Sequence, residues 1–444
     1  QRQRGARAAL TEALFASEDE RPLTLISHMC RLTLYVYGGG SHSAGITTVA
    51  DIPYFRDHLD LFGVDASNRS CVLESSCTEP TFAPLHKSVY SGDAVILQRL
   101  LETCALTTDP DRADLFVLPE PYGTTTGVAW GCKSDDQRHT PLCRRKGASS
   151  ESALRRHSVA HPAMPYLTDA TAARHVILCS TDVEWCPSFH PNSTLINLGD
   201  DDVQSNMIRH SHSLFDRRMG RTGVRLPNAL SVPYRVSQWV APPPAGAAAP
   251  PPRRWLLSAN LNNHRASCRA KLGAAIEAAA KASNDTDRVL ISHSMLNPAE
   301  AADVARASTF CVCATGDAKG FTARFYFSLA AGCLPVFVDC WTRNLTLAEL
   351  ALPYPSLLNW SALVVVPPNS VGVPTGVGVR GADVLRLVRE MPAAEVARRQ
   401  RYLHSVAHWL AYDLETSSEH PRHDRRDAPA ALIRELELRF ARIR

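Results

Sequence analysis

Two glycines and an arginine lie close together in the segment ATGDAKGFTAR, which covers residues 314–324. Gly316 and Gly320 permit a close approach of the backbone to a ligand, and Thr322 is a residue type that caps helices. Arg324 then falls in the first turn of that helix, where unpaired N–H groups already attract anions. The pattern favours a phosphate or pyrophosphate ligand, although an ordinary crossover with a surface arginine fits the same residues.

The segments on either side predict the elements that position this loop. Residues 309–313 are short, apolar and β-prone, and residues 334–338 form a second such run, so both are predicted to be buried strands. Between them we predict a helix over 322–331, with Gly332 at its C′ position. Strand, loop, helix and strand form a βαβ unit. Its loop lies at the carboxyl edge of a parallel sheet, where open α/β sheets bind their ligands.

The composition is that of a globular protein and argues against two classes of function. Apolar residues make up 45% of the 444 residues, and 48 basic residues nearly balance 44 acidic ones. The net charge of +4 is too small to predict nucleic acid as a partner. The longest uncharged apolar run, 325–338, is shorter than the ~20 residues of a membrane span. Because the chain starts at Gln1, we expect any membrane anchor to lie in a segment that precedes it.

Cysteines and glycosylation sequons together indicate an oxidising, secretory compartment. The chain has 13 cysteines, an odd number that leaves at least one thiol free. No cysteine spacing matches a zinc site, so we expect no structural zinc. Three pairs are close enough in sequence to form disulfides: Cys71/Cys77, Cys132/Cys143 and Cys179/Cys186. Sequons occur at Asn68, Asn192, Asn284, Asn344 and Asn359.

Alternating strand and helix patterns on both sides of a Pro- and Ala-rich segment predict two α/β domains. Residues 1–29 are predicted to be an N-terminal helix or the remnant of a stem, and 30–240 a first lobe around a parallel sheet. Residues 241–253 are predicted to be a semi-rigid linker. Residues 254–412 form the predicted second lobe, and 413–444 a polar loop with a C-terminal helix.

The densest of these motifs resembles the exostosin-type glycosyltransferases of family 47. Residues 308–316 (STFCVCATG), Arg324-Phe325 and residues 331–336 (AGCLPV) are similar in order and spacing to three elements of that family. Weaker similarity is found in residues 109–119, 174–182, 254–272 and 359–360. The resemblance therefore covers about residues 30–410.

The resemblance implies an α/β fold of the GT-B type, with two Rossmann-like lobes facing a cleft and C-terminal helices packing back. It implies an inverting glycosyltransferase whose first lobe binds the acceptor and whose second lobe binds a nucleoside diphosphate sugar, expected to be a UDP-sugar. No metal is expected to be essential, because helix dipole and arginine neutralise the leaving group. The expected partners are a glycan or glycoprotein acceptor and a homologous partner subunit. The expected location is the Golgi lumen, another part of the secretory pathway, or the cell exterior.

The resemblance also implies site residues at the positions where the motifs match. Arg324 is expected to stabilise the leaving group, with Arg269 as a second cation. Asp182 follows a predicted strand end near His175 and is the candidate general base, with a loop cap as the alternative. His175 itself fits a buried strand histidine better than a base. The expected donor-site residues are Gly316, Arg324, Arg269, Asn260, Ser308, Thr322 and Phe327.

Phe327 departs from the family pattern and leaves two functions open. The position three residues after the arginine usually carries an acidic side chain that accepts hydrogen bonds from ribose hydroxyls. A phenylalanine cannot accept them, and an unpaired buried hydroxyl costs about 1–3 kcal/mol. Ala314, residues 258–260 and Asn228 also depart from the pattern. The two hypotheses are a transferase with altered donor choice and a non-catalytic, glycosyltransferase-like structural or partner subunit.

Overall fold

The computed structural model describes residues 30–38, 46–61, 92–119, 163–178, 194–197, 230–236, 240, 253–261, 267–294, 296–315, 322–338, 352–367, 381–412 and 427–440. These residues divide into two compact units, one of 240–411 and one of 30–236 together with 412–440. In the described part of the chain, no helix is both long and apolar enough to cross a membrane.

Each unit is built around one parallel sheet, and the helices lie between successive strands. The described strands are β1 (Thr33–Val36), β2 (Ala105–Leu106), β3 (Leu115–Pro119), β4 (His175–Leu178), β5 (Thr194–Asn197), β6 (Leu230–Ser231), β7 (Trp255–Asn260), β8 (Val289–Ser292), β9 (Ser308–Ala314) and β10 (Leu334–Val338). The described α-helices are α1 (Pro53–Leu61), α2 (Gly92–Thr103), α3 (Ser267–Ala282), α4 (Pro298–Arg306), α5 (Ala323–Ala330), α6 (Trp360–Leu363), α7 (Gly381–Glu390), α8 (Ala393–Val406) and α9 (Ala428–Phe440). The predicted α/β class with two Rossmann-like lobes is confirmed.

The first unit has the strand order β2-β1-β3-β4-β5-β6, and its described strands pair in parallel. The strands β3 and β4 are buried along their whole length, as their continuous apolar sequences predict for a parallel sheet. A disulfide between Cys30 and Cys104 joins the chain before β1 to the end of α2. The disulfide pairs suggested by the sequence lie outside the described residues.

The C-terminal helix packs on this first unit, as the predicted fold requires. Asp427 precedes α9 and accepts hydrogen bonds from Arg99 Nη2 at 2.7 Å and from the Ala430 amide at 3.0 Å. Both Arg99 and Asp427 are buried. Farther along α9, Glu437 Oε1 accepts a hydrogen bond from the Arg31 amide at 2.8 Å. The carboxylate of Asp427 thus caps the helix and fixes it to α2.

The second unit has the strand order β10-β9-β7-β8, again with parallel pairings. The strand order reverses between β7 and β9, because α3 leads from β7 to one side of the sheet and α4 leads to the other. A predicted late strand at 363–366 is wrong. Leu363 ends α6, and only Val365 forms a bridge, with Val336. Asn359 explains this outcome, because its side chain caps α6 through the Ala362 amide.

The predicted βαβ unit is present and is fixed firmly at its base. Helix α5 ends at Ala330, and Gly332 adopts a positive φ of 74°. The amides of Gly332 and Cys333 donate to the carbonyls of Leu329 and Ser328 at 3.0 and 2.9 Å, which is the Schellman arrangement. The predicted C′ role of Gly332 is therefore confirmed. A disulfide between Cys311 and Cys333 joins β9 to the start of β10.

The half-buried side chain of Arg253 closes the same end of this unit. Arg253 donates from Nη1 to the carbonyls of Arg306 and Ser308, both at 2.8 Å, and from Nη2 to the carbonyl of Gly332 at 2.9 Å. Arg306 is the last residue of α4, Ser308 is the first residue of β9, and Gly332 follows the end of α5. One side chain therefore joins three elements. Burial lowers the pKa of Arg253.

We predict that Asp427→Ala lowers the free energy of unfolding by about 3–5 kcal/mol, because it removes the closer of the two carboxylates beside the buried guanidinium of Arg99 and leaves Glu102 at 3.8 Å. The double variant Arg99→Met/Asp427→Ala should be less destabilised than the single variant, since it removes the incompletely paired charge of Arg99. Chemical denaturation of the three proteins measures the difference. A double variant at least as unstable as the single one would contradict the prediction.

We also predict that Gly381→Ala destabilises the second unit by about 1–3 kcal/mol through overpacking. A Cβ at Gly381 would lie 2.2 Å from the Ile276 amide nitrogen of α3, and backbone at that distance has no room to yield. Gly273→Ala is the matched control, because its new methyl would meet the His293 side chain, at 2.9 Å, which is able to rotate away. Equal denaturation midpoints for the two variants would contradict the prediction, because they would show that α3 and α7 can move apart without loss of stability.

Candidate anion-binding site

The candidate site lies where the strand order of the second sheet reverses. The carboxyl ends of β7 and β9 are Asn260 and Ala314. Helix α3 follows β7 and helix α5 follows β9, so both helices begin at this edge. In open parallel sheets, the crevice outside the strand ends at such a reversal is where ligands bind.

Both of these helices carry an arginine in their first turn. Arg269 is the third residue of α3 and Arg324 the second residue of α5, and neither helix has an acidic residue in its first turn. A helix N-terminus is already positive and normally attracts carboxylates, so an arginine there costs about 0.3–1 kcal/mol. The two helices thus concentrate positive charge at one edge of the sheet, as an anionic ligand requires.

Arg269 is held in place by the strand that precedes the glycine loop. Its Nε donates to the carbonyl of Thr315 at 3.1 Å. The amide of Thr315 in turn donates to the carbonyl of Val338 at 3.0 Å, which continues the pairing of β9 with β10. The guanidinium is therefore oriented by backbone at the point where the glycine loop begins. Gly316 follows directly but lies outside the described residues.

Arg324 has a donor at this edge that is available to a ligand. Its Nη1 is buried and forms no hydrogen bond with the rest of the described chain. Burial and the nearby charge of Arg269 lower the pKa of Arg324 to about 10, so the side chain stays charged at neutral pH. A buried charged donor without an acceptor costs about 3 kcal/mol or more, and a bound anion removes that cost.

Asn260 adds a neutral hydrogen-bonding group to this edge. Ser258 Oγ lies 3.5 Å from Cys311 Sγ, and Cys313 Sγ lies 3.5 Å from Ser328 Oγ of α5. Since alternate residues of a strand share a face, Asn260 lies on the face that α5 covers. Its Oδ1 is buried and accepts no hydrogen bond from the described residues. It is therefore available to a ligand hydroxyl or N–H group.

Thr322 and Phe327 occupy their expected positions on α5, with one correction. Thr322 is the N-cap residue, with extended φ and ψ of −92° and 166°, but its hydroxyl makes no capping hydrogen bond. The predicted side-chain cap is wrong, although the predicted helix start is right. Phe327 is buried, with 8% of its surface exposed. It lies one turn after Arg324, on the same side of the helix.

Ser308 does not lie with the other expected donor-site residues. It begins β9, whereas the site lies at the other end of that seven-residue strand, about 20 Å away. Its hydroxyl donates to the carbonyl of Val304 at 2.6 Å and its carbonyl accepts from Arg253. The similarity of its motif thus reflects the base of the fold and not the ligand.

The candidate base of the first unit falls outside the described residues, since Asp182 is not among them. His175 is described, and it is buried with both ring nitrogens engaged. Nδ1 lies 2.9 Å from the carbonyl of Thr171 and Nε2 lies 2.8 Å from the hydroxyl of Tyr37. A ring that donates to a carbonyl and accepts from a tyrosine has a structural role, as predicted for His175.

Sequence reasoning missed the two groups that support the arginines. One is the carbonyl of Thr315, which the sequence cannot reveal because any residue supplies a carbonyl. The other is the buried thiol of Cys313, whose pKa is raised to about 11 by burial. It packs beside Arg324 as a neutral group. Its position on an apolar strand was a signal that it is packed and not metal-bound.

Comparison with known proteins agrees with the sequence motifs. The family model of the exostosin GT47 domain matches residues 31–371, which is most of the chain. Curated protein sequences yield no match. A solved structure described as the glycotransferase of kitacinnamycin aligns over 91% of this chain and 97% of its own, with 11% sequence identity and a TM-score of 0.30. A similarity that low does not bear on the fold or the reaction.

The family match spans both sheets, the reversal between β7 and β9 and the helix that carries Arg324. It therefore includes the elements that form the candidate site. The chain belongs to the exostosin GT47 family of glycosyltransferases.

Proposed function

We propose that the protein transfers a sugar, with inversion, from a nucleoside diphosphate sugar to a hydroxyl of a glycan or glycoprotein. One observation carries the proposal: Arg269 and Arg324 lie near each other at two helix N-termini, and the buried Nη1 of Arg324 has no acceptor among the described residues. A diphosphate provides two adjacent anionic groups and fits this pair. A UDP-sugar is the donor to test first.

The proposed reaction places the leaving group in the second unit. The bond between the anomeric carbon and the diphosphate oxygen breaks, and its electron pair leaves with the diphosphate. Arg324 and Arg269 stabilise the charge that develops there. An acceptor hydroxyl attacks from the opposite face, which inverts the carbon, and a general base takes its proton. Asp182 is the proposed base, and the chain supplies the two cations without requiring a metal in this step.

A second candidate function is a non-catalytic subunit that retains the fold. Phe327 favours it, because this buried ring offers no acceptor for ribose hydroxyls. Such a subunit would work beside a homologous chain. For either function we propose a location in the Golgi lumen or elsewhere on the secretory route, which the disulfides Cys30–Cys104 and Cys311–Cys333 support.

We predict that Arg324→Met weakens binding of UDP about 10- to 100-fold, because it removes charge-assisted hydrogen bonds worth about 1.5–3 kcal/mol. When both proteins are free of ligand, Arg324→Met should be at least as stable as the wild type. The substitution removes the positive charge of Arg324, which burial and the nearby Arg269 disfavour. Calorimetric titration and thermal unfolding measure the two effects.

Arg401→Met is the matched control, because it removes an exposed arginine of the same unit. It should leave UDP affinity unchanged. An Arg324→Met protein that binds UDP as tightly as the wild type would move the donor site elsewhere. If the folded wild type binds no nucleoside diphosphate at all, the non-catalytic function is supported.

We predict that the wild type binds UDP and 2′-deoxy-UDP with similar affinity, since Phe327 cannot accept a hydrogen bond from ribose. Phe327→Glu should bind UDP about tenfold more tightly than 2′-deoxy-UDP, because the new carboxylate can accept a hydrogen bond from the 2′-hydroxyl of UDP. Phe327→Leu controls for the lost ring volume and should not discriminate. Strong discrimination by the wild type would mean that other residues hold the ribose.

A further inference from the structure

The turn after helix α3 presents an asparagine to solvent in an unusual backbone conformation. Asn284 is exposed and has a φ of 59°, one of two non-glycine residues with positive φ among those described. Its amide donates to the carbonyl of Lys281 at 3.3 Å, and the amide of Asp285 donates to the carbonyl of Ala280 at 2.9 Å. These bonds form a Schellman motif with Asn284 at C′, where glycine is the usual residue.

The residues around Asn284 hold this turn rigidly against the unit. Asp285 is buried, and its carboxylate accepts from Ser283 Oγ at 2.9 Å and from Arg389 Nε of α7 at 3.1 Å. Its carbonyl accepts from the amide of Arg288 at 2.9 Å. The chain is thus anchored on both sides of Asn284, whereas Asn284 and Thr286 are themselves exposed.

We propose that Asn284 carries an N-linked oligosaccharide. Asn284, Asp285 and Thr286 form an acceptor sequon, and the folded turn leaves room for a glycan on the exposed side chain. The donor is a polyprenyl diphosphate oligosaccharide, used by the transferase of the secretory pathway. Asn284 Nδ2 attacks the anomeric carbon, the bond to the diphosphate oxygen breaks with its electron pair, and Nδ2 releases one proton. The proposal rests on the secretory location and not on transferase activity.

The other described sequon does not meet the same conditions. Asn359 Oδ1 accepts from the Ala362 amide at 3.3 Å and from Ser361 Oγ at 2.7 Å, so the side chain is engaged in capping α6. The residue between them, Trp360, is fully buried. Among the described residues, the Asn284 side chain has no such capping role, and glycine would suit its positive φ better than asparagine does.

The position of Asn284 separates this modification from the anion site. Arg269 lies in the first turn of α3 and Asn284 two residues beyond its end. A helix of 16 residues is about 24 Å long, so the two lie at opposite ends of the helix. Loss of the glycan should therefore leave UDP affinity unchanged, and failure of either proposal is visible without the other.

The test is site-specific mass spectrometry of the full chain secreted from a eukaryotic host. Trypsin cleaves after Lys281 and Arg288 and releases the peptide 282–288. Peptide N-glycosidase treatment in ¹⁸O water converts a glycosylated asparagine into labelled aspartate. We expect the label on Asn284 in the wild type and in Thr286→Ser, and its loss in Thr286→Ala, which lacks the hydroxyl of the sequon.

Asn284→Gly gives a second test that preserves the fold, because glycine suits the left-handed position. It should lose the glycan and keep the circular dichroism spectrum and the unfolding cooperativity of the wild type. Recovery of the Cys311–Cys333 peptide in the oxidised state shows that the protein passed through an oxidising compartment. If the Asn284 peptide of that same protein is unlabelled, the proposal is overturned. Equal labelling in Thr286→Ala and the wild type overturns it as well, since sequon-dependent transfer would then not be the source.

Discussion

The second unit has to hold two guanidinium groups, those of Arg269 and Arg324, near each other at two helix N-termini. The electrostatic cost of doing so constrains the rest of the unit. The helix dipoles oppose them, their own charges repel, and burial disfavours the charged form of Arg324, whose pKa falls to about 10. Arg269 is oriented by the carbonyl of Thr315. The buried Nη1 of Arg324 also lacks an acceptor among the described residues, which is a cost that a bound anion would remove.

The opposite end of the same βαβ unit supplies the stability that this edge lacks. The Cys311–Cys333 disulfide closes a 22-residue separation and contributes about 3 kcal/mol by the loop-entropy relation. Arg253 joins the carbonyls that end α4, begin β9 and follow α5. A helix-dipole penalty is about 0.3–1 kcal/mol for each arginine, so these anchors outweigh it. The unit is firmly fixed at its base, and the buried Nη1 of Arg324, which has no acceptor among the described residues, lies at the edge that carries the candidate site.

The sequence predicted those features that local chemistry determines. Gly332 was expected at C′ because only a residue tolerant of positive φ ends α5 there, and the structure has φ of 74°. The late strand was mispredicted because Asn359 caps a helix turn that apolar periodicity does not reveal. Ser308 was expected among the donor-site residues because a motif gives proximity in sequence, whereas the structure places it at the start of the seven-residue strand β9, away from Arg324 and Asn260. The Cys311–Cys333 pair was not foreseen, since it depends on the crossover that brings Cys333 beside β9.

Two contacts decide between an active transferase and a non-catalytic subunit that retains the fold. One is the contact of Phe327 with the ribose, and the other is the contact of Arg269 and Arg324 with the diphosphate. A ribose hydroxyl facing Phe327 loses a hydrogen bond worth about 1–3 kcal/mol at most. A diphosphate facing Arg269 and Arg324 gains charge-assisted bonds of about 1.5–3 kcal/mol each. Under the proposed function, the phenylalanine would weaken donor binding and shift its selectivity, but it would leave the stronger contacts between the diphosphate and the two arginines intact. In a chain that bound no anion, a neutral side chain at position 324 would be the more stable choice, so the arginine there argues for a ligand.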